Sequence, residues 1–163
     1  MPGELRQQLR QDKPFQSPEA EAFLNVVRTA AGLLDDLAAV LRPCDLSQPQ
    51  YNVLRILRGA GPGGLPSGEI GARMVGRDPD VTRLVDRMEA RGLVERRRDA
   101  ADRRVVLVRL TPEGRRTVDA LDAPVAAMHR RQLGHLAPAE LQALSDLLVA
   151  ARREARAAEH AAE

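Results

Sequence analysis

Tryptophan is absent from this chain of 163 residues, cysteine and tyrosine occur once each, and phenylalanine occurs twice. A single cysteine excludes an internal disulfide and a zinc cluster built from cysteines. No apolar run approaches the length of a signal sequence or a membrane-spanning helix, so we expect a soluble, cytoplasmic protein. Because aromatic side chains are scarce, the core has to come from leucine, valine, alanine and methionine, a composition that favours helices.

The residue sets on which enzyme sites are built are also missing. The sequence has no nucleophile grouped with a base and an orienting residue, no phosphate-binding loop and no set of metal ligands. His129 and His135 stand six residues apart without an acid or thiol at ligand spacing, which favours structural or surface roles over a metal site. We therefore expect no enzymatic activity, no cofactor and no metal.

Six stretches with apolar residues at helical spacing predict one mainly α-helical domain over residues 17–163, after a polar, flexible arm at residues 1–16. The predicted helix starts are Ser17-Pro18, Ser47 with Gln50 in a capping box, Ser67, Asp78-Pro79, Pro112 and Pro138. The second helix is expected to end at Gly59, the third at about Val75 and the fourth at a glycine cap, Gly92. A lobe then spans about residues 47–110, with long helices at about 17–42 and 112–160.

A β-hairpin is predicted between the fourth and fifth helices, with strands at residues 93–97 and 105–110. The second strand alternates in the period of two and runs into Thr111-Pro112, an N-cap followed by proline. The loop at residues 98–104 is dense in arginine, and such a tip can lie along a phosphate backbone or enter a narrow minor groove. The hairpin therefore predicts the wing of a winged helix that binds DNA.

The third and fourth helices have the spacing of a helix-turn-helix, whose second helix enters the major groove of DNA. Four apolar residues of the fourth helix follow the helical repeat and should face the core: Val81, Leu84, Val85 and Met88. The other face carries Thr82, Arg83, Asp86 and Arg87. Thr82 and Arg83 lie in the first turns and are candidates to reach base edges. Arg87 and Arg91 are expected to meet phosphates or acidic side chains; alternatively, the whole face is a solvated charged surface.

The distribution of charge agrees with this interpretation better than the net charge of +2 does. Residues 73–116 contain 13 arginines and 8 acidic residues, whereas each flank is slightly acidic. The positive surplus is therefore confined to the predicted DNA-binding half.

A fixed pattern runs through the wing: Asp102-x-Arg104, three residues, Val108-x-Leu110-Thr111, two residues and Gly114. In this pattern the chain resembles the multiple-antibiotic-resistance regulator (MarR) family of bacterial transcription factors. Residues 81–96 resemble the family's recognition helix leading into the first wing strand. The resemblance covers about residues 17–156 and implies a winged helix-turn-helix that binds a pseudo-palindromic operator in double-stranded DNA as a homodimer.

The resemblance also assigns roles within the wing. Arg104 corresponds to the arginine that reaches the minor groove, and Asp102 to the acid that orients it. A plain salt bridge that stiffens the hairpin is the alternative, and both roles can hold at once. Arg103 and the run Arg96-Arg97-Arg98 are expected to contact phosphates, which carries affinity with little sequence information.

The first, fifth and sixth helices have apolar stripes longer than a compact lobe can cover. The family arrangement buries them against a second subunit, and an intrachain three-helix bundle is the alternative. The residues expected to contribute to the dimer, in some combination, are Phe23, Leu33, Leu37, Val118, Leu121, Val125, Leu141, Leu144 and Leu148.

The resemblance further implies a small-molecule effector, often a phenolic compound or an aromatic carboxylate, bound between the dimer helices and the lobe. The candidate lining residues are Phe23, Val27, Tyr51 and Leu54, although a place in the core is the favoured alternative for each of them. Cys44 lies away from the start of the first helix, where peroxide-sensing relatives carry their cysteine, and no basic residue adjoins it to favour the thiolate. A ligand-released repressor is thus the leading hypothesis, and a winged-helix module that binds an acidic protein partner is the alternative.

Overall fold

The computed structural model describes residues 4–76 and 80–161, with side chains as far as residue 153 in the last helix. In these residues the fold is mainly helical with one small antiparallel sheet, which confirms the predicted fold class. The elements are α1 (Glu4–Gln8), α2 (Pro18–Leu41), α3 (Gln48–Ala60), β1 (Leu65–Pro66), α4 (Ser67–Arg73), α5 (Val81–Ala90), β2 (Val94–Arg98), β3 (Val106–Leu110), α6 (Pro112–Ala120), α7 (Asp122–Leu133) and α8 (Pro138–Ala161).

Three of the predicted helix caps are confirmed. The Ser17 hydroxyl accepts a hydrogen bond of 3.2 Å from the backbone N–H of Ala20 at the start of α2. Ser47 and Gln50 form the reciprocal capping box of α3. The Thr111 hydroxyl accepts from the N–H of Gly114 at 3.0 Å and starts α6.

The helix-turn-helix starts differently from the prediction. Ser67 is the first residue of α4 and makes no capping bond, and α4 ends at Arg73 and not near Val75. The cap of α5 is Asp80, whose carboxylate accepts a hydrogen bond of 3.0 Å from the N–H of Arg83. The predicted start at Asp78-Pro79 lies outside the described residues.

The predicted glycine cap at the end of α5 is confirmed. Gly92 has a positive φ of 68°, and its N–H donates to the Glu89 carbonyl at 2.8 Å. The N–H of Leu93 donates to the Met88 carbonyl at 3.0 Å. These two bonds form a Schellman motif, which turns the chain directly from α5 into β2.

The sheet contains the predicted hairpin and a third strand that sequence reasoning missed. Strands β2 and β3 pair antiparallel, with Val94 opposite Leu110 and Arg98 opposite Val106. The two-residue strand β1 adds to the other edge of β3. It follows Gly64, where φ is +75° and a Cβ would lie 2.4 Å from the Val108 carbonyl oxygen. A strand of two residues has too few positions for alternation to reveal it.

The single fifth helix of the prediction is two helices, α6 and α7, separated at Leu121. Pro124 lacks the N–H that would continue the helical hydrogen bonds to Ala120, which accounts for the break. Arg58 of α3 lies beside this junction, with its guanidinium 3.0 Å from the Asp119 carboxylate and 2.8 Å from that of Asp122.

The core of the lobe is aliphatic, as the composition requires. Fully buried side chains come from α3, α4, α5, the sheet and α6; they include Val53, Leu54, Leu57, Ile70, Leu84, Val85, Met88, Val94, Val108 and Val118. Burial of this kind stabilises a domain by about 25 cal/mol per Å² of apolar surface. The packed core therefore stabilises the helices and strands that carry the charged residues on the surface of the lobe.

The chain divides into two compact units, residues 1–125 and 126–163. In the first unit, the short helix α1 carries Leu5, whose side chain is buried. In the second unit, the turn after α7 leads into α8, where the N–H of Ala137 donates to the Glu140 carboxylate at 2.7 Å.

Candidate nucleic-acid interface

The two faces of α5 separate as the helical repeat predicts. Of the four residues predicted to face the core, Leu84, Val85 and Met88 are buried and Val81 is half-buried. The residues predicted to face DNA are all exposed: Thr82, Arg83, Asp86 and Arg87. The polar face is therefore available to a partner along the whole length of the helix.

Arg83 is a highly exposed cation of this face that also forms an ion pair. Its side chain is 83% exposed, and its Nε lies 3.0 Å from the Asp80 carboxylate. Asp80 also caps α5 through the N–H of Arg83, so one carboxylate engages both the backbone and the side chain of this residue. The guanidinium is thereby placed at the first turn of α5, where recognition helices reach base edges.

Asp86 and Arg96 occupy a different setting from the one predicted. The Nη2 atom of Arg96 lies 2.6 Å from the Asp86 carboxylate, and its Nη1 lies 2.5 Å from that of Glu89. Arg96 is thus a half-buried partner of α5 and not a free phosphate contact, although it was predicted with Arg97 and Arg98. Burial opposes the charged form of Arg96, but the hydrogen bonds to Glu89 and Asp86 raise its pKa above the ordinary value.

The chain just after α4 is held at Val75 by a side chain that sequence reasoning missed. Asn52 of α3 accepts a hydrogen bond of 2.8 Å from the backbone N–H of Val75 through its Oδ1. An asparagine within a helix is a weak former, and its polar group here satisfies a neighbouring turn. Nothing in the local pattern distinguishes Asn52 from any other polar residue on α3.

The tip of the wing is ordered by two aspartates that accept from the backbone. The Asp99 carboxylate accepts from the N–H of Ala101 at 2.6 Å and of Asp102 at 3.2 Å, and these bonds lower its pKa. Asp102 in turn accepts from the N–H of Arg104 at 2.9 Å. Asp102 therefore orients Arg104 through its backbone and not through its guanidinium, which corrects the form of contact expected.

The wing arginines present exposed positive charge. In the part of the chain that the structure describes, no carboxylate lies within ion-pair distance of Arg98, Arg103 or Arg104. Arg97 pairs with Glu95 at 2.7 Å and remains 62% exposed. The tip is consequently a set of cations on a hairpin whose backbone is held in place.

The threonine and glycine of the wing pattern have structural roles. The Thr111 hydroxyl donates to the Gly92 carbonyl at 2.6 Å, and the Thr111 N–H donates to the Leu93 carbonyl at 3.2 Å. A Cβ on Gly114 would lie 1.9 Å from the Leu93 carbonyl oxygen. These contacts hold the segment that follows α5 against the start of α6.

The four residues predicted to line an effector pocket have two different environments. Tyr51 and Leu54 are buried, and burial raises the pKa of Tyr51. Phe23 and Val27 are 66% and 48% exposed on α2. The lobe therefore uses Tyr51 and Leu54 as core, which is the alternative that the sequence left open for all four residues.

Cys44 has a basic neighbour in space that its sequence neighbours do not supply. The guanidinium of Arg91 donates to the carbonyl of Cys44 at 3.1 Å and to that of Asp45 at 2.5 Å. Arg91 was predicted to meet phosphates or acids, and it also lies 3.5 Å from the Asp45 carboxylate. It therefore ties the end of α5 to the loop after α2.

The comparisons with known proteins agree with a winged helix-turn-helix that binds DNA. Residues 45–105 match the model of the MarR family. The HTH-type transcriptional regulator YfiV of Bacillus subtilis (strain 168) is 34% identical over 118 residues, which span 72% of this chain and 71% of YfiV.

Two solved structures extend the similarity to the fold. A MarR transcription factor from Planctomyces limnophilus is 41% identical with a TM-score of 0.63, covering 83% of this chain and 98% of that one. CouR from Rhodococcus jostii RHA1, solved bound to p-coumaroyl-CoA, is 31% identical with a TM-score of 0.71, covering 82% and 93%.

These similarities define a class and a family. The chain is a DNA-binding regulator of transcription and not an enzyme. It belongs to the MarR family of winged helix-turn-helix regulators, which confirms the resemblance seen in the wing pattern. Among the helices described here, none is both long and apolar enough to cross a membrane.

Proposed function

We propose that this protein is a homodimeric repressor that binds a pseudo-palindromic operator and is released by a small phenolic or aromatic carboxylate ligand. The observation that carries the DNA-binding part is the set of exposed arginines on α5 and the wing, which lie in the same compact unit. A DNA-bound dimer can repress by occupying the sequence that polymerase needs. In this proposal the protein acts in the cytoplasm, where bacterial DNA is located.

In this proposal α5 reads the major groove. Arg83 donates to guanine O6 and N7 in a bidentate manner, and Thr82 contacts a neighbouring base edge. Arg87, one turn further along, meets a phosphate. Asp86 lies on the same face but shares its carboxylate with Arg96. Asp86 therefore acts mainly by holding Arg96 and contributes little repulsion toward DNA.

The wing supplies the minor-groove and backbone contacts. Arg104 enters the minor groove, where the field of the phosphates attracts a guanidinium. Arg97, Arg98 and Arg103 meet phosphates along the edges of that groove. The hydrogen bonds of Asp99 and Asp102 to the wing backbone support this assignment, because an ordered tip loses less entropy on binding.

The dimer part rests on apolar side chains that remain exposed. On α2 the exposed apolar residues are Phe23, Val26, Val27 and Leu34, and on α8 they are Leu144 and Leu147. An exposed apolar stripe of this kind marks an interaction site. Val118, Leu121 and Val125, also predicted to reach the second subunit, are buried within the single chain and are withdrawn from that set.

The effector part is supported by CouR, which was solved with a coenzyme A ester of a phenolic acid. For this chain we propose a phenolic or aromatic carboxylate bound near Phe23 and Val27 of α2, against the side of the lobe that carries Tyr51 and Leu54. Ligand binding that favours a different spacing of the two α5 helices lowers the affinity for the operator. Cys44 takes no part, so Cys44→Ser should bind and release DNA as wild type does.

The test is selection of duplexes from random DNA by the purified protein, followed by sequencing and by sedimentation of the complex. A palindromic consensus bound by two chains is the expected result. Recovery of unrelated sequences, together with tight binding to an acidic peptide, would favour the protein-interaction module instead. Removal of residues 138–163 should abolish the dimer, and a folded monomeric product that still binds the palindrome tightly would contradict the dimer model.

A further inference from the structure

Arg96 lies on the wing strand β2 but contacts the recognition helix α5. Its guanidinium meets the carboxylates of Asp86 at 2.6 Å and Glu89 at 2.5 Å, and the backbone carbonyl of Thr82 at 3.4 Å. Its backbone N–H donates to the second Glu89 carboxylate oxygen at 2.9 Å. One residue of the wing therefore engages α5 at four points.

The residues that Arg96 contacts lie along one side of α5. Thr82, Asp86 and Glu89 stand at positions i, i+4 and i+7, so they lie in line along nearly the whole length of α5. Arg83 and Arg87, which are also four residues apart, form the adjacent exposed stripe. The contact with Arg96 thus runs directly beside the side chains that face the partner.

The side chain of Arg96 is 24% exposed, against 62% for Arg97 on the same strand. Partial burial strengthens its ion pairs relative to those at the open surface. A planar guanidinium can bridge two carboxylates and a carbonyl at once, whereas an ammonium group is a point charge on a flexible stem. The geometry therefore requires arginine and not only a positive charge.

We propose that Arg96 is the positioning residue that sets the rotation of α5 relative to the wing, and so determines how sharply the protein discriminates between DNA sequences. This inference rests on the proposed reading of bases by α5. Base recognition needs Arg83 placed accurately, whereas phosphate contacts tolerate displacement of the helix. Weakening the contacts between Arg96 and α5 therefore reduces sequence preference before it reduces affinity for arbitrary DNA. It also releases the Asp86 carboxylate toward the phosphates.

The experiment measures binding of the full chain to two duplexes, one recovered by selection with the wild-type protein and one a scramble of the same composition. Arg96→Lys keeps the charge and removes the forked geometry. We expect its affinity for the scrambled duplex to stay within about twofold of wild type. The ratio of its affinities for the selected and the scrambled duplex should fall about tenfold. Arg115→Lys is the matched control, because Arg115 is also paired with a carboxylate, that of Asp119, but lies outside the interface.

A double variant separates the effect of the freed Asp86 charge from the effect of a displaced α5. In Arg96→Gln, the freed Asp86 carboxylate should weaken binding to both duplexes, and adding Asp86→Asn should restore affinity for the scrambled duplex but not the preference. Circular dichroism and thermal melting establish that each variant is folded. If Arg96→Gln fails to fold, Glu89→Gln tests the same bridge and should lower the preference by a smaller factor.

Three results would overturn the inference. Unchanged preference in Arg96→Lys would show that geometry at this site does not matter for reading. Equal losses of Arg96→Lys on both duplexes would make Arg96 a phosphate contact. Absence of any preference in the wild-type protein would instead contradict the proposed function itself, which the selection step reports before any variant is made.

Discussion

The carboxylate of Asp102 accepts a hydrogen bond of 2.9 Å from the backbone N–H of Arg104, two residues further along the wing. The acid and the arginine of the family pattern are therefore joined through the main chain. This contact shapes the turn that presents the Arg104 side chain, and it leaves the guanidinium exposed. The wing is built to display Arg104 without neutralising it.

A first prediction distinguishes this contact from an ion pair. Asp102→Asn keeps an oxygen that accepts from the Arg104 N–H, so it should bind operator DNA nearly as wild type does. Asp102→Ala removes the acceptor and should cost about 1 kcal/mol of binding free energy, roughly fivefold in affinity. Fluorescence anisotropy with a labelled operator measures both variants. Equal losses in the two variants would indicate that the negative charge itself matters.

The second prediction concerns Arg104, which we propose enters the minor groove. Arg104→Ala should weaken binding to operator and random DNA together and reduce the salt dependence by about one charge per subunit. Titrations at several salt concentrations give this slope. Because the side chain is exposed, the melting temperature should not change. Unchanged DNA binding would leave Arg104 without a role in the interface.

The third prediction tests the packing role of the glycine in the wing pattern. A Cβ on Gly114 would overlap the Leu93 carbonyl, so Gly114→Ala should destabilise the fold by about 1–3 kcal/mol. Gly59→Ala is the control, since Gly59 lies within α3 with nothing within 4 Å of the added carbon. That change should leave stability unaltered or raise it by up to about 1 kcal/mol. Chemical denaturation compares the two, and similar stabilities would be inconsistent with the packing described.

The fourth prediction follows from the junction of α6 and α7. The hydrogen bond from Arg58 holds the pKa of Asp119 below its ordinary value of 3.8, with Arg115 contributing in the same direction. A lowered pKa in the folded state stabilises the protein above that ordinary value, and the stabilisation is lost as pH falls through the lowered pKa. Asp119→Asn lacks this contribution at every pH. Its melting temperature should therefore fall less than that of wild type between pH 5 and the acid limit of folding, and parallel curves would exclude the contribution.

Much of the fold could be predicted because local signals and tertiary packing agree. Ser17, Ser47 and Thr111 act as caps as their patterns indicate, and β2 and β3 lie within one residue of the two predicted hairpin strands. The break after α6 and the strand β1 were missed. The first depends on one proline near a helix start, and the second is two residues long.

The site was harder to predict where one residue type has two uses. The exposed face of α5 follows from its repeat, but Arg96 looks like Arg97 and Arg98 in sequence. Only the folded chain brings Arg96 to Asp86 and Glu89, and Arg91 to the carbonyls of Cys44 and Asp45. Contacts between residues distant in sequence leave no periodic signal, so they could not be read from the pattern of charges.

The most direct test of base reading by α5 is the affinity of Arg83→Ala for the selected operator and for random DNA, measured over the same series of salt concentrations. The wild-type protein should prefer the operator by about 10³-fold or more. Loss of the Arg83 guanidinium should cost ~1–3 kcal/mol at the operator and much less on random DNA, with relaxed preference at one symmetric pair of positions. Equal losses on the two kinds of DNA would contradict base reading and reduce Arg83 to a phosphate contact.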